Sequence, residues 1–407
     1  MQNIEIQAAP AAVTQSRLGE KGFIAYIAFL SAFVPLSTDM YLPALPSMVD
    51  HLNATPAVVN LTIVLFFVFY AVGTLFWGPF SDKYGRKPVL LVGLSLYTLA
   101  SFMCIFAGNV YLLIVYRVLQ AIGCGSATAI SNAIIKDAYT GEKRGRILAI
   151  VQSLTMASPI ISPVIGAFLL GVTSWRGIFA LLSVIALFSV IATFMMDETH
   201  HSLSEGNILL TLKKLPNVFR NKSLVYLLIT FALIQIATMS FVTASSYIYV
   251  DGFGVSEKTF SLYFAANAIF YLVGPLLYIE IFKHINYRLL IRISYIIFAL
   301  SGLMMVLIGR TGPLIFSLCL LPASLFGSII GPVRMNLMIE QVTHDMGAAS
   351  SVIMCTFTLF ASIGMMLISS DFINRVLLLG ILYCAMGIIS LAAWVMVSKM
   401  PIIKHLD

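Results

Sequence analysis

Apolar positions in this chain come in long blocks rather than in stripes. Largely apolar runs occupy 22–43, 58–80, 88–107, 110–135, 147–172, 176–196, 223–249, 258–282, 288–309, 313–335, 347–370 and 375–398, parted by short polar intervals. A helix needs about 20 such residues to cross the hydrocarbon of a bilayer. The pattern therefore predicts an all-α membrane protein of twelve transmembrane helices. The longest polar interval, 197–222, holds Asp197, Glu198, His200, His201, Lys213, Lys214, Arg220 and Lys222. It divides the chain into an N-terminal six-helix bundle (1–196), a linker (197–222) and a C-terminal six-helix bundle (223–407). A faint repeat joins the two: Gly78-Pro79-Phe80 before a basic turn in the first half, Gly274-Pro275-Leu276 before Lys283, His284 and Arg288 in the second. Two such halves are a transporter arrangement, with the substrate site between them near the midplane.

Composition agrees with the blocks. Apolar residues make up 60% of the 407 and charged residues 10%, against about 25% charged in a soluble domain. Only a bilayer can solvate such a surface. The net charge of +7 does not point to nucleic acid, because the basic residues sit in short intervals where they orient a membrane protein. With a cytoplasmic N-terminus, nineteen of the 24 Lys and Arg residues fall on the cytoplasmic side. Arg176, Lys258, Arg310 and Arg375 fall outside, and Arg117 lies within a span. That bias predicts a multi-pass protein of the cytoplasmic (inner) membrane with both termini in the cytoplasm. The five cysteines lie inside apolar runs without metal-ligand spacing, and the six histidines fall in loops or near span ends. No metal, no cofactor and no enzymatic cluster is expected. The polar stretch before Gly22 and the length of the first run argue against a cleaved signal peptide.

Four constellations stand out. Asp39, in PLSTDMYLP, is the one acidic residue well inside a predicted span of the first half. A carboxylate in hydrocarbon must face a cavity or a partner, and such a group suits a proton carrier. The alternative is that the first span ends early and Asp39 is interfacial. Arg117 and Gln120, at i,i+3, share a face of the fourth span at about the depth of Asp39, which that face is expected to meet directly or through water. A purely structural ion pair is the alternative. The turn GPFSDKYGRKP (78–88) joins Gly78, Gly85 and Pro88 to Asp82, Arg86 and Lys87. Its charges suit a latch to neighbouring helix ends, as a gate requires; topology signalling alone is the plainer reading. Ser158, Ser162 and Gly166 recur every fourth residue in the fifth span, with Pro159 and Pro163 between them. This stripe favours close helix packing and a bent helix. Met40, Tyr41, Phe67, Gln235, Tyr247 and Asn267 are candidates to line a substrate cavity, although each polar one also suits a helix–helix hydrogen bond. Glu280, Arg334 and Glu340 are expected to snorkel at cytoplasmic span ends.

The turn GPFSDKYGRKP is similar to the signature loop of the major facilitator superfamily. YRVLQAIG resembles that superfamily's fourth-span motif, and SPIISPVIGA its fifth-span antiporter motif, with Ser158 where a glycine usually leads. STDMYLPALP resembles the first span of the Bcr/CflA group of drug–proton antiporters. The resemblance implies the major facilitator fold and proton-coupled efflux of small lipophilic or cationic drugs by alternating access. It gives Asp39 and Arg117 the coupling role, Gly78, Asp82, Gly85 and Arg86 the gating loop, and Pro159, Pro163 and Gly166 the antiporter motif. The expected partners are a small-molecule drug, protons and the bilayer, with a single copy as the working unit. The rivals are a proton-coupled importer or facilitator of a small metabolite, a membrane-embedded enzyme, and a sensor or scaffold that moves nothing.

Overall fold

A computed structural model of the chain describes residues 17–199, 216, 218–280, 284–342, 346–369 and 374–404. Most of the linker 197–222, including His200, His201, Lys213 and Lys214, lies outside the described residues. Among the described residues, eleven helices are long and apolar enough to cross a membrane, and a bent pair at the start makes a twelfth. They are α1 (Gly19–Ser31 with Phe33–His51), α2 (Pro56–Tyr84), α3 (Arg86–Ile105), α4 (Val110–Ala138), α5 (Gly141–Leu170) and α6 (Trp175–Met195). The second set is α7 (Lys222–Gly252), α8 (Glu257–Glu280), α9 (Tyr287–Ile308), α10 (Pro313–Glu340), α11 (Met346–Ile368) and α12 (Arg375–Val397).

Several starts are written locally. The side chains of Thr55, Asn109, Asn221, Asn286 and Asn374 accept from amides of the first turns of α2, α4, α7, α9 and α12. Each cap satisfies a donor that a helix start would otherwise leave open. The outward surface is apolar: Leu99, Phe102, Phe168, Phe188, Leu262, Leu307 and Met366 are each more than half exposed to their surroundings. In water that surface would be a liability; in lipid it is ordinary.

The helices pack as two sets of six. In the first, α2 and α3 pack on α4 and α3 on α6; in the second, α8 and α9 pack on α10 and α9 on α12. Close approaches repeat between the sets. A Cβ on Gly166 of α5 would overlap the Met40 carbonyl of α1, and one on Gly364 of α11 would overlap the Ile236 carbonyl of α7. Between the sets, α2 packs on α11 and α5 on α8, so each half offers the same two elements to the other.

The face carrying the start of α1, the α2–α3 turn and the end of α12 is termed the terminal face, and the opposite one the far face. The Asn60 amide donates to Ser369 Oγ at 3.0 Å, and the Ser261 hydroxyl donates to the Pro163 carbonyl at 3.1 Å. Both bonds join the halves toward the far face. Ser162, Pro163, Gly166 and Ala167 of α5 are buried there, as are Phe260, Ser261, Phe264 and Ala265 of α8. Toward the terminal face both helices are more exposed, with Ile147, Val151 and Gly274 still buried. The halves thus close at the far face and part toward the terminal face.

Candidate functional site

The first span is broken where its chemistry lies. Pro43 has no amide to give the Asp39 carbonyl, four residues before it, and its ring crowds that carbonyl. The regular helix ends at Asp39, and a single 3-10 turn, Leu42–Ala44, follows before helix resumes at Leu45. α1 nevertheless continues to His51, eight residues past the predicted boundary at 43, so Asp39 lies within the bent helical element rather than at its end. Thr38 Oγ1 donates to Asp39 Oδ1 at 2.9 Å. Met40, Tyr41 and Leu42 have no exposed surface, whereas Asp39 keeps 7% of its own. Asp39 is thus the least enclosed residue of this break, though still buried.

Arg117 stands behind it, wholly buried. Nη1 donates to the Ser37 carbonyl at 3.1 Å and to Gln120 Oε1 at 2.5 Å, and Nε donates to the Thr62 carbonyl at 3.4 Å. The guanidinium lies 4.3 Å from the Phe66 ring centroid, 5.0 Å from that of Tyr41 and 5.7 Å from that of Phe179. Nη2 is buried with no hydrogen-bond partner among the described residues. Gln120 Nε2 donates to Ser101 Oγ at 2.7 Å, and the Ser37 hydroxyl bonds the Tyr97 hydroxyl. The expected meeting of α1 and α4 is present, but it runs through the Ser37 carbonyl, two residues before Asp39. Arg117 and Asp39 form no ion pair.

The α2–α3 turn is a second cluster. Gly85 has φ +95°, a conformation that L side chains resist. Arg86, 4% exposed, reaches Asp82 Oδ1 at 2.5 Å through Nη1 and Asp137 Oδ2 of α4 at 2.7 Å through Nε. The Glu198 carboxylate, beyond α6, accepts from the amides of Arg86 and Lys87 at 3.0 Å each. Negative charge at a helix start is favourable. Lys87 Nζ donates to the Phe194 carbonyl at 2.9 Å. The latch binds α2, α3, α4 and α6 of one half to each other. Gly78 has open space around it, and Gly166 provides the close approach to Met40 described above. Pro159 and Pro163 lie inside an α5 that remains continuous.

The six candidate cavity residues have different surroundings. Met40 and Tyr41 are enclosed, with the Tyr41 hydroxyl bonded to Thr62 Oγ1 at 2.9 Å. Phe67 packs edge-on against Phe66. Asn267 Nδ2 donates to Ser324 Oγ at 2.7 Å. Tyr247 is buried under the Arg375 guanidinium, 4.5 Å from its ring centroid. Gln235 lines a small pocket within the second half, with Arg334 among its other walls. Arg334 does not snorkel: α10 runs on to Glu340, and Arg334 is buried against Phe357. Ser37, Tyr97, Ser101, Asp137 and Glu198 join these clusters without any mark in the sequence. Each is an ordinary residue for its surroundings until the fold gives it a partner.

The residues 27–365 match the family model described as Major Facilitator Superfamily. The multidrug resistance protein MdtL of Shewanella is 27% identical over 338 residues, 80% of this chain and 84% of that one. The bicyclomycin resistance protein homolog of Haemophilus influenzae is 26% identical over 290 residues, 70% of this chain and 72% of that one. Among solved structures, a D-xylose–proton symporter superposes with TM-score 0.72 over 93% of this chain and 97% of its own, at 15% identity.

Proposed function

The chain belongs to the major facilitator superfamily, and from that membership we propose that it exports small lipophilic drugs from the cytoplasm in exchange for protons, by alternating access. In this reading the terminal face is cytoplasmic, because the basic residues concentrate there. The protein then works as a single copy in the inner membrane, with the far face outside. Relatives named for multidrug and bicyclomycin resistance favour drugs as the cargo.

The observation that carries the proposal is Asp39, a carboxyl at a helix break between the two halves that keeps a sliver of access where its neighbours keep none. Intramembrane carboxyls in such positions mark proton paths. With the far face closed, a drug enters from the cytoplasm and displaces the Asp39 proton. The ionised carboxylate seeks a partner, and Arg117, whose Nη2 has none among the described residues, is bonded to α1 two residues before Asp39. That rearrangement pulls on α1 beside the Met40–Gly166 contact and biases the far face to open. The drug leaves, Asp39 takes a proton from outside, and the inward state returns. A membrane potential adds about 2.3 kcal/mol per charge per 100 mV to an electrogenic cycle.

Everted membrane vesicles with an acidic lumen test this reading. A lipophilic drug should accumulate inside them while protons leave. Accumulation of the drug by intact cells, dependent on the protein, overturns the export direction.

A further inference from the structure

The break in α1 leaves one hydroxyl between two acceptors. Thr38 Oγ1 lies 3.0 Å from the Val34 carbonyl and 2.9 Å from Asp39 Oδ1. A threonine hydroxyl has one hydrogen to give and lone pairs with which to accept, so it cannot serve both acceptors fully at once. Thr38 is 1% exposed, which leaves the contest to these two groups. An ionised carboxylate is the stronger acceptor and takes the hydrogen. A protonated carboxyl has a hydrogen of its own and can give it to Thr38 Oγ1, which frees the Thr38 hydrogen for Val34. Both arrangements use the same three oxygens, and they differ by one proton.

The surroundings leave this choice to Thr38. Arg117 of α4 is the buried cation beside this part of α1, and it is bonded to the Ser37 carbonyl rather than to Asp39. The Cys104 and Cys124 thiols lie within electrostatic reach of Arg117. The Tyr41 and Tyr97 hydroxyls are bonded to Thr62 and Ser37. The helices α5, α7 and α8 also pack on this stretch of α1, and their charged residues sit near their ends. The Val34 carbonyl belongs to the short segment Phe33–Asp39, between the 42° bend of α1 and the break. A hydroxyl bonded to the carbonyl four residues back tends to bend a helix, so the choice of acceptor reaches the backbone.

We propose that Thr38 is a positioning residue for the proton of Asp39: its hydrogen turns from the Val34 carbonyl to Asp39 Oδ1 when the carboxyl ionises, and turns back when the carboxyl is protonated. The proton that leaves is the one on Asp39. The Thr38 hydrogen stays on Oγ1 throughout and only rotates about the Cβ–Oγ1 bond. This inference rests on the reading of Asp39 as the proton carrier and assigns the residue that answers it.

Infrared titration of the purified full chain in detergent tests it, independently of drug and of transport direction. The band of protonated Asp39 is the carboxyl band missing from Asp39→Asn. Thr38→Val keeps the shape and removes the hydroxyl. The ionised form then loses a charged hydrogen bond and the protonated form a weaker neutral one. The midpoint of the band should move to higher pH by about one unit, a tenfold change in proton affinity. Thr38→Ser keeps the hydroxyl and should titrate as the wild type does. Thr38→Ala repeats the measurement with a smaller side chain where Thr38→Val does not fold. An unmoved midpoint in either folded variant overturns the proposal, as does a Thr38→Ser that titrates like Thr38→Val. A wild-type band that does not titrate overturns the reading of Asp39 as proton carrier, and the role of Thr38 with it. The expected midpoints together with failed drug export would count against the exporter reading alone and leave the role of Thr38 standing.

Discussion

Arg117 makes bonds that a lysine cannot reproduce. Its planar fork bonds the Ser37 carbonyl, the Thr62 carbonyl and Gln120 while its face covers Phe66. An ammonium is a point donor without that stacking plane. Arg117→Lys should therefore destabilise the purified protein by about 1.5–3 kcal/mol, the scale of one charged hydrogen bond, measured as a lowered unfolding midpoint in detergent. Asp39→Asn should behave in the opposite manner. The amide keeps the shape and the Thr38 bond but holds no exchangeable charge, so the protein should fold as before and lose pH-dependent export by about tenfold or more. Unchanged export across an imposed pH gradient would remove Asp39 from the coupling. Both residues were legible in the sequence because an ionisable group within an apolar run has few innocent explanations. Ser37, Tyr97 and Ser101 were not, since a hydroxyl in a membrane helix usually bonds its own preceding turn. Only the fold shows that these join α1, α3 and α4.

The elements themselves were legible as blocks of apolar residues, and all twelve appear where the runs lie. Their ends and bends were harder to read. The first run stops at Pro43, yet α1 resumes as Leu45–His51, because the proline breaks one turn rather than the span. α10 runs past the predicted end at 335 for a related reason: a charged Arg334 reads as a terminus in sequence, and burial against Phe357 makes it part of the helix interior. The α2–α3 turn shows what spacing cannot supply. Its Gly, Asp and Arg were visible, but its partners Asp137 and Glu198 lie 51 and 112 residues from Arg86 in sequence. Glu198 accepts from two amides at the start of α3, so Glu198→Ala should leave both without that acceptor, at a cost of about 0.5–2 kcal/mol. Faster hydrogen exchange at Arg86 and Lys87, with the far-face ends of α2 and α3 unaffected, is the expected signature. Gly166→Ala acts on another element pair. Its Cβ meets the Met40 carbonyl, which is backbone and has little room to yield. The cost should be about 1–3 kcal/mol of overpacking, and the closed far face should be disfavoured, read as increased labelling of a single cysteine placed in the α1–α5 contact.

At the scale of the molecule, the two halves meet through a pair of equivalent contacts, α2 with α11 and α5 with α8. A transporter of this build changes access by rocking one half against the other about its central site, so contacts that join the halves on one side must break in each cycle. Asn60 and Ser369 form such a contact, with their side chains 3.0 Å apart at the far face. Replacing both, as Asn60→Cys with Ser369→Cys, puts two thiols where a hydrogen bond now closes the halves. Oxidation should then lock the far face shut. Transport should stop, drug binding from the terminal face should persist, and reductant should restore flux. Either single variant under oxidant should transport normally, which separates the cross-link from the substitutions. The five native cysteines lie elsewhere, and those at 104, 124 and 319 are buried, so each single variant also controls for them. Full transport by the oxidised double variant, with the cross-link confirmed, would mean that α2 and α11 need not part. The closed far face would then be a fixed wall rather than one position of a gate. Loss of flux with retained binding is what the rocking of two six-helix halves requires.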